Sequence, residues 1–315
     1  MVAPPTVWLC PGQGAQQVGM GKDLAERFPV ARATFEAIDQ ALGFALSRVM
    51  FEGPADELTA TRTAQPAILA HSAAVHAILE PAVGGAAVAA AGHSLGEYSA
   101  YVTAAALTPP HAATLVRQRG ELMHQAGEAR PGAMAAVLGL ATAEVAAACH
   151  EVSGKGAVAV PANLNAPDQT VISGDPDAVA RAGAACKARG AKRVMPLNVS
   201  GAFHSPLMAP AASHLRLVLD RATFAEPRFP VIATATAEAV TSAARARRLL
   251  VDQLTAPVRW IECLQHAARL AGEGARWLEI GPGSVLSGLL KRNVPNATVI
   301  SLGTAADVTT FLEAA

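Results

Sequence analysis

Gly84-Gly85-Ala86-Ala87-Val88-Ala89-Ala90-Ala91-Gly92-His93-Ser94-Leu95-Gly96 sets a serine between two glycines after an unbroken run of small apolar residues. Such a run suits a buried strand, and Leu95 to Leu107 reads as the helix that follows it. Strand, tight turn and helix with serine at the apex is the layout of a nucleophile elbow. The glycines there let the chain fold back sharply enough to lift the hydroxyl clear of both elements. A Gly-Ser turn without chemistry has the same residues, and 26 glycines give the pattern many chances to arise. The rest of the chain decides between the two.

Upstream of the elbow, Val7-Trp8-Leu9-Cys10 reads as a short strand ending in Pro11-Gly12-Gln13-Gly14-Ala15-Gln16. Helical periods run from Lys22 through Phe51 and again from Gln65 through Leu79, with Pro66 suited to a first helical position. His111 to Gln125 forms a further helix. Strand, helices, strand and helix in that order predict a parallel sheet covered by helices. Between Arg130 and Ser200 the pattern changes. Ala133–Leu140, Thr142–Val152, Ala157–Asn163, Gln169–Ser173, Asp177–Arg189 and Arg193–Val199 read as strand, helix, two strands, helix and strand. That βαββαβ order is the ferredoxin-like signature. The expected fold is therefore α/β: a large α/β-hydrolase-like part with a parallel sheet, residues 1–129 and 201–315, carrying an inserted ferredoxin-like subdomain, residues 130–200. The large part resumes after His204 with strands at Val231–Thr234 and Arg276–Ile280. Helices are expected around Arg245–Leu254, Ile261–Leu270 and Val285–Lys291.

Composition narrows the classes of function. Of 315 residues, 51% are apolar and 16% charged, with Lys+Arg and Asp+Glu at 25 each. A balanced chain of this kind has no global field to attract nucleic acid or a membrane surface, so any charged ligand must meet a local patch. The amino terminus lacks a basic segment, and its first apolar stretch breaks at Pro11-Gly12, so no signal peptide is expected. No run is expected to reach the roughly 18 apolar residues of a membrane span. The expected location is the cytoplasm. Cys10, Cys149, Cys186 and Cys263 stand far apart without a CxxC pair, which argues against a disulfide framework and against a metal site.

A serine nucleophile needs a base within reach and donors aimed at the developing oxyanion. His71, His76, His111, His124, His150, His214 and His266 fall in helical stretches, and His93 precedes the serine and points elsewhere. His204, in Gly201-Ala202-Phe203-His204-Ser205-Pro206, lies in a loop after a strand and is the candidate base. A hydrolase triad would run Ser, acid, His, yet no acid between Ser94 and His204 stands out. A backbone carbonyl serves equally, since the second ring N–H needs only an acceptor. The Pro11–Gly14 loop opens where a parallel sheet forms its crevice and offers an oxyanion donor, with Leu95 N–H as the other. Arg119, facing a pocket, has the planar fork that grips a carboxylate in two contacts; on a solvated face it would be an ordinary helix cation.

Taken in order, Pro11–Gln16, Gln65-Pro66-Ala67, Gly92–Glu97, Arg119-Gly120-Glu121-Leu122-Met123, Gly132–Ala136, Asn163–Gly174, Gly201–Ser205, Pro257-Val258-Arg259-Trp260 and Glu279–Gly283 resemble the malonyl-CoA:acyl carrier protein transacylases over almost the whole chain. The resemblance implies Ser94 as acyl-accepting nucleophile and His204 as base and then acid. It implies the Gln13 and Leu95 amides as oxyanion hole, Arg119 as carboxylate clamp, Gln65 and Asn163 as pocket-lining polar residues, and Ala256 as the carbonyl that orients the histidine. Phe203 resembles the pattern of enzymes that take malonyl rather than methylmalonyl units. The implied reaction is ping-pong transfer of malonyl from malonyl-CoA to a carrier protein's phosphopantetheine thiol, with no cofactor. Lys187, Arg189, Lys192 and Arg193, and separately Lys291-Arg292, are candidate docking patches for an acidic carrier protein; solvated helix ends have the same composition.

Two departures stand out. Cys10 replaces a usual aromatic residue, and Ala233-Thr234-Ala235-Thr236 replaces a usual Ser-Asn-Val-Thr segment. They leave open the breadth of acyl groups accepted and whether the pathway makes fatty acids or polyketides. Two rival readings share the fold: an editing thioesterase, which has no use for a carboxylate clamp, and a non-catalytic docking subunit, which has no use for Ser94, His204 and Gln13 together.

Overall fold

The computed structural model describes residues 3–154, 156–199 and 201–314. The expected segment ends at residues 1, 200 and 315 lie outside the described residues. The chain begins with β1 (Thr6–Cys10), followed by α1 (Lys22–Arg27), α2 (Pro29–Leu42), α3 (Leu46–Glu52), α4 (Ala55–Thr59) and the long α5 (Thr61–Val83). The elbow strand β2 (Ala87–Gly92) leads to α6 (Gly96–Thr103) and α7 (Pro109–Ala129). Then come β3 (Ala133–Leu138), α8 (Thr142–Val152), β4 (Ala159–Ala166), β5 (Gln169–Gly174), α9 (Pro176–Ala188) and β6 (Arg193–Pro196). The remainder is α10 (Ala209–Arg221), β7 (Val231–Ile232), β8 (Ala239–Val240), α11 (Ala243–Asp252), α12 (Trp260–Ala271), β9 (Arg276–Ile280), α13 (Val285–Asn293), β10 (Thr298–Leu302) and α14 (Ala305–Ala314).

Two sheets result. The larger has the order β10-β9-β1-β2-β7-β8, parallel throughout except for β8, which turns back against β7. Its central strands are buried on both faces, as their unbroken apolar runs require. Trp8, Cys10 and Ala90 enter one core, where α2, α5 and α7 pack, while Val7, Leu9, Ala89 and Ala91 enter a second core under α12 and α13. The smaller sheet is antiparallel, in the order β4-β5-β3-β6, with α8 and α9 on one face. Its chain order is the βαββαβ pattern expected from sequence.

Helix α5 departs from expectation twice. It starts at Thr61, so Pro66 lies inside it and not at its first position. Proline has no N–H to give the carbonyl four residues back, and Arg117 donates to that freed Arg62 oxygen at 3.0 Å. The run Thr61–Ala86 is also long and apolar enough to cross a membrane by composition alone, with mean hydropathy 1.3, where none was expected. Of its most apolar window 72% is buried within the protein, which marks it as the central core helix. The structure also holds α4, α10, β8, β10 and α14, which the sequence reading did not give; elsewhere the differences are at ends, as where α6 stops at Thr103, short of Leu107, because the chain turns at Ala105 (φ 56°).

β4 ties the small sheet to the large part. Leu164 N–H donates to the Val258 carbonyl at 2.9 Å, and Val258 N–H to the Ala162 carbonyl at 2.8 Å. Nearby, Asn293 Nδ2 donates to the Asn165 carbonyl at 2.8 Å. Helix α13, which carries Asn293, is held in turn by a buried carboxylate. Glu279 at the end of β9 accepts from Leu286 N–H (2.9 Å), Ser287 N–H (2.8 Å) and the Ser287 hydroxyl (2.6 Å). A carboxylate there satisfies first-turn donors of α13 and complements the helix dipole. Glu279→Ala strands these donors in a dry site. It should cost about 3 kcal/mol, read as a lower urea midpoint at unchanged m-value.

Candidate active site

Where β2 meets α6, the backbones come closer than any side chain allows. A Cβ on Gly92 would stand 1.9 Å from the Gly96 carbonyl oxygen, and one on Gly96 would stand 2.2 Å from the Cys10 carbonyl oxygen. The glycines are therefore required for close approach, while the sharp turn itself falls on the serine. Ser94 takes φ 53°, a left-handed conformation that a non-glycine residue adopts at a cost. That conformation carries its hydroxyl into a cavity of about 280 Å³.

His204 meets it there. Ser94 Oγ lies 2.8 Å from His204 Nε2. The histidine is 4% exposed and also left-handed (φ 58°), in a loop braced by Ser205, whose hydroxyl donates to the Ala202 carbonyl and accepts from Leu207 N–H. Its Nδ1–H donates to the Gln253 carbonyl at 2.9 Å. Ala256, expected in this role, is not the close acceptor; its carbonyl contributes a weaker interaction, and Gln253 stands three residues earlier. The physical reason is local. Gln253 ends α11, so its carbonyl is among those the helix leaves free, at the negative end of the helix dipole. A helix end thus takes the place of the missing acid. With Nδ1 donating, the tautomer leaves the Nε2 lone pair for the serine proton. Burial, and then the Arg119 cation, pushes the imidazole down to about 3 against the pull of the Gln253 carbonyl, which keeps the ring neutral and its Nε2 lone pair unprotonated.

Arg119, on α7, is 1% exposed and aims its fork at Ser94. Nη1 donates to Gln65 Oε1 at 2.7 Å; Nη2 donates to Gln253 Oε1 at 2.9 Å and to Ser94 Oγ at 3.1 Å. Among the described residues no carboxylate lies within ion-pair distance of it, and its Nε–H is buried without a partner. Burial lowers its pKa. An unpaired guanidinium in a dry cavity is costly unless a ligand anion completes it.

The same cavity is lined by Gln13, Leu95, Asn163 and Phe203. Among the described residues the backbone N–H groups of Gln13 and Leu95 engage no acceptor, which leaves them available to an oxyanion beside Ser94. Asn163 Oδ1 is buried without a partner, and Phe203 is 5% exposed.

The basic residues singled out in the sequence divide. Arg189 is half-buried and paired with Glu144 and Glu151, and Arg292 is paired with Asp168, so both are engaged within the protein. Lys187, Lys192, Arg193 and Lys291 are exposed. Lys192 precedes and Arg193 begins the strand whose continuation, Leu197 to Val199, lines the cavity.

Sequence reasoning missed Gln253, Thr234 and the function of Glu97. Gln253 is fully buried, and its Nε2 donates to Glu97 Oε2 (2.7 Å) and to the Ser94 carbonyl (3.1 Å). Burial raises the Glu97 pKa, while Thr234, Gln253 and the Arg119 charge draw it back down. The available signal was a carboxylate three residues after Ser94 in an otherwise uncharged helix. Nothing local marks Gln253.

Comparison with known proteins agrees with this geometry. The acyl transferase domain family matches residues 7–312. The malonyl CoA-acyl carrier protein transacylase of Escherichia coli K12 is 43% identical over 307 residues, 97% of this chain and 98% of that one. The protein of that name from Bacillus subtilis 168 is 45% identical over 286 residues, 90% of this chain and 89% of its own. A solved malonyl-transacylase in complex with its holo type II PKS acyl-carrier protein (PlMCAT with AntF) superposes with a TM-score of 0.92 at 42% identity, covering 98% of this chain and 99% of that one. The chain therefore belongs to the acyl transferase domain family and is an acyltransferase.

Proposed function

We propose that this protein transfers a malonyl group from malonyl-CoA to the phosphopantetheine thiol of an acyl carrier protein, through an ester on Ser94. The observation that carries the reading is the buried Arg119 fork, 3.1 Å from the Ser94 hydroxyl and without a carboxylate of its own. An acyl group seated on Ser94 and bearing a free carboxylate supplies the missing partner. A plain acyl chain leaves the cation unpaired.

In the first half-reaction His204 Nε2 takes the Ser94 proton as Oγ attacks the thioester carbonyl. The oxyanion accepts from the Gln13 and Leu95 amides. Collapse breaks the carbon–sulfur bond, and the departing coenzyme A thiolate takes the proton from His204. In the second half-reaction the pantetheine thiol gives its proton to His204 and attacks the ester carbonyl. Ser94 then leaves as the alkoxide and recovers that proton. The imidazolium formed in each half is stabilised by the Gln253 carbonyl and disfavoured by Arg119, so it passes its proton on rather than persisting. Phe203 bounds the acyl pocket and supports malonyl over a branched unit. The relatives named for malonyl transfer, one of them in complex with its carrier protein, support the same reading. Reagents of this kind belong to the cytoplasm.

The decisive experiment incubates the protein with malonyl-CoA and with acetyl-CoA in the absence of acceptor and follows adducts by intact mass. A malonyl adduct is expected on the wild type and none on Ser94→Ala; an adduct surviving in Ser94→Ala overturns the reading. Arg119→Ala should slow malonyl acylation about a hundredfold or more while affecting acetyl acylation much less. Rapid hydrolysis of the malonyl adduct, unaffected by added carrier protein, would favour the thioesterase.

The pH dependence has a defined sign. A base whose pKa is depressed to about 3 stays in its reactive form at every higher pH. The rate constant for acylation at low malonyl-CoA should therefore be flat on its acid side from pH 8 down to about 5. An acid limb centred near 6.5, the ordinary histidine value, would contradict the site's electrostatics.

For the carrier protein, Lys192→Glu with Arg193→Glu should raise its apparent KM about tenfold and leave that for malonyl-CoA unchanged. Steady-state kinetics with each substrate varied in turn checks this, and equal effects on both remove the docking role.

A further inference from the structure

Glu97 has no part in the chemistry above, yet it is fully buried one turn past the nucleophile. Its Oε2 accepts from Thr234 N–H (3.0 Å), the Thr234 hydroxyl (2.8 Å) and Gln253 Nε2 (2.7 Å). Thr234 follows β7, so the carboxylate is anchored on the sheet. Gln253 in turn reaches every working part of the site. Its Nε2 donates to the Ser94 carbonyl at 3.1 Å, its Oε1 accepts from Arg119 Nη2 at 2.9 Å, and its backbone carbonyl accepts from His204 Nδ1 at 2.9 Å. A reversed amide would set NH₂ against the guanidinium and oxygen against the Glu97 carboxylate, donor facing donor and acceptor facing acceptor. With Glu97 on one side and Arg119 on the other, a single orientation remains.

We propose that Glu97 is a positioning residue: anchored through Thr234, it holds Gln253, and through Gln253 it directs both His204 and Arg119 toward Ser94. The amide bridges the buried Glu97 carboxyl and the buried Arg119 guanidinium, so that Glu97 acts on Arg119 at one remove and, among the described residues, no carboxylate of the protein takes the place of the acyl carboxylate on its fork. A direct Glu97–Arg119 pair would occupy that fork. The inference rests on the reading of Ser94 as acyl acceptor and Arg119 as clamp.

The test compares wild type, Glu97→Gln, Glu97→Ala, Gln253→Ala and the Glu97→Ala/Gln253→Ala double variant. Acylation by malonyl-CoA and by acetyl-CoA is followed by quenched-flow intact mass, with rates taken per acylatable site. Glu97→Ala is expected to slow malonyl acylation about tenfold or more and to narrow the malonyl-over-acetyl preference. Glu97→Gln, which keeps an acceptor oxygen, should restore most of both. The double variant should be no slower than the slower single, because one residue acts through the other. Additive losses, or a Glu97→Ala variant that lowers the yield of active protein without changing rate or preference, overturn the proposal. If Glu97→Ala does not fold, Thr234→Val loosens the same anchor more gently. A narrowed preference supports the proposal, and an unchanged one counts against it. A wild type that forms no malonyl adduct removes the underlying reading of Ser94 instead.

Discussion

The approach of Gly96 to the Cys10 carbonyl, too close for a Cβ, is the constraint on which the site depends. It brings the end of β1 against the start of α6 and is reinforced by His93 N–H donating to the same carbonyl at 3.0 Å. Once those backbones touch, Ser94 has little room except the left-handed turn that raises its hydroxyl. The Pro11–Gln13 loop, leaving β1 at the same point, brings Gln13 to the cavity that Ser94 lines. The turn at Ser94 and the placement of the Gln13 loop are thus consequences of one contact between neighbouring parallel strands, at the carboxyl ends of the strands where ligands characteristically bind.

Electrostatics then separate this site from a hydrolase triad. A carboxylate behind the histidine would raise its pKa and stabilise the imidazolium strongly. The α11 end supplies a partial charge in its place, and Arg119 opposes protonation from the other side. The base is neutral without an acid near enough to compete for the guanidinium. The nearest acid, Glu97, reaches Arg119 only through the Gln253 amide, and the polar groups form a continuous buried network in which each member has a defined donor or acceptor sense. A partly satisfied network of this kind is costly: among the described residues Arg119 Nε–H and Glu97 Oε1 have no partner, and Arg119 is where an anionic ligand would relieve it.

The small sheet closes the cleft from the other side. Because β4 bonds to the Val258 segment and Asn165 Oδ1 lies 2.9 Å from His93 Nε2, the residue next to Ser94 is tied directly to the small sheet. The cavity wall formed by Asn163 and by the chain after β6 is therefore built on a braced element. The exposed Lys192 and Arg193 stand at the start of β6, the strand whose continuation lines the cavity, whereas Arg189 and Arg292 are consumed by internal ion pairs.

Much of the architecture was legible in the chain because it follows from periodicity. The Ala-rich run before Ser94, the βαββαβ alternation after Arg130 and the strand at Arg276–Ile280 are local patterns, and local backbone preference with burial suffices to read them. Ser94 and His204 were legible because glycines and a loop flank them, and Arg119 because its motif resembles that of one family. Pro66 was misread because only Arg117, brought over by α7, makes a proline tolerable inside α5. The carbonyl behind His204 was misassigned to Ala256 because the acceptor is set by where α11 ends. Gln253 and Thr234 carry no local signal at all, and Glu97 only a faint one: their importance comes from converging on one buried point from three separate elements. The sequence by itself determined most of the elements, the βαββαβ alternation of the small sheet and the candidacy of Ser94 and His204. Which amide, which carbonyl and which charges surround that pair was decided only by tertiary structure, since hydrogen-bond complementarity among distant residues exists only once the chain has brought them together.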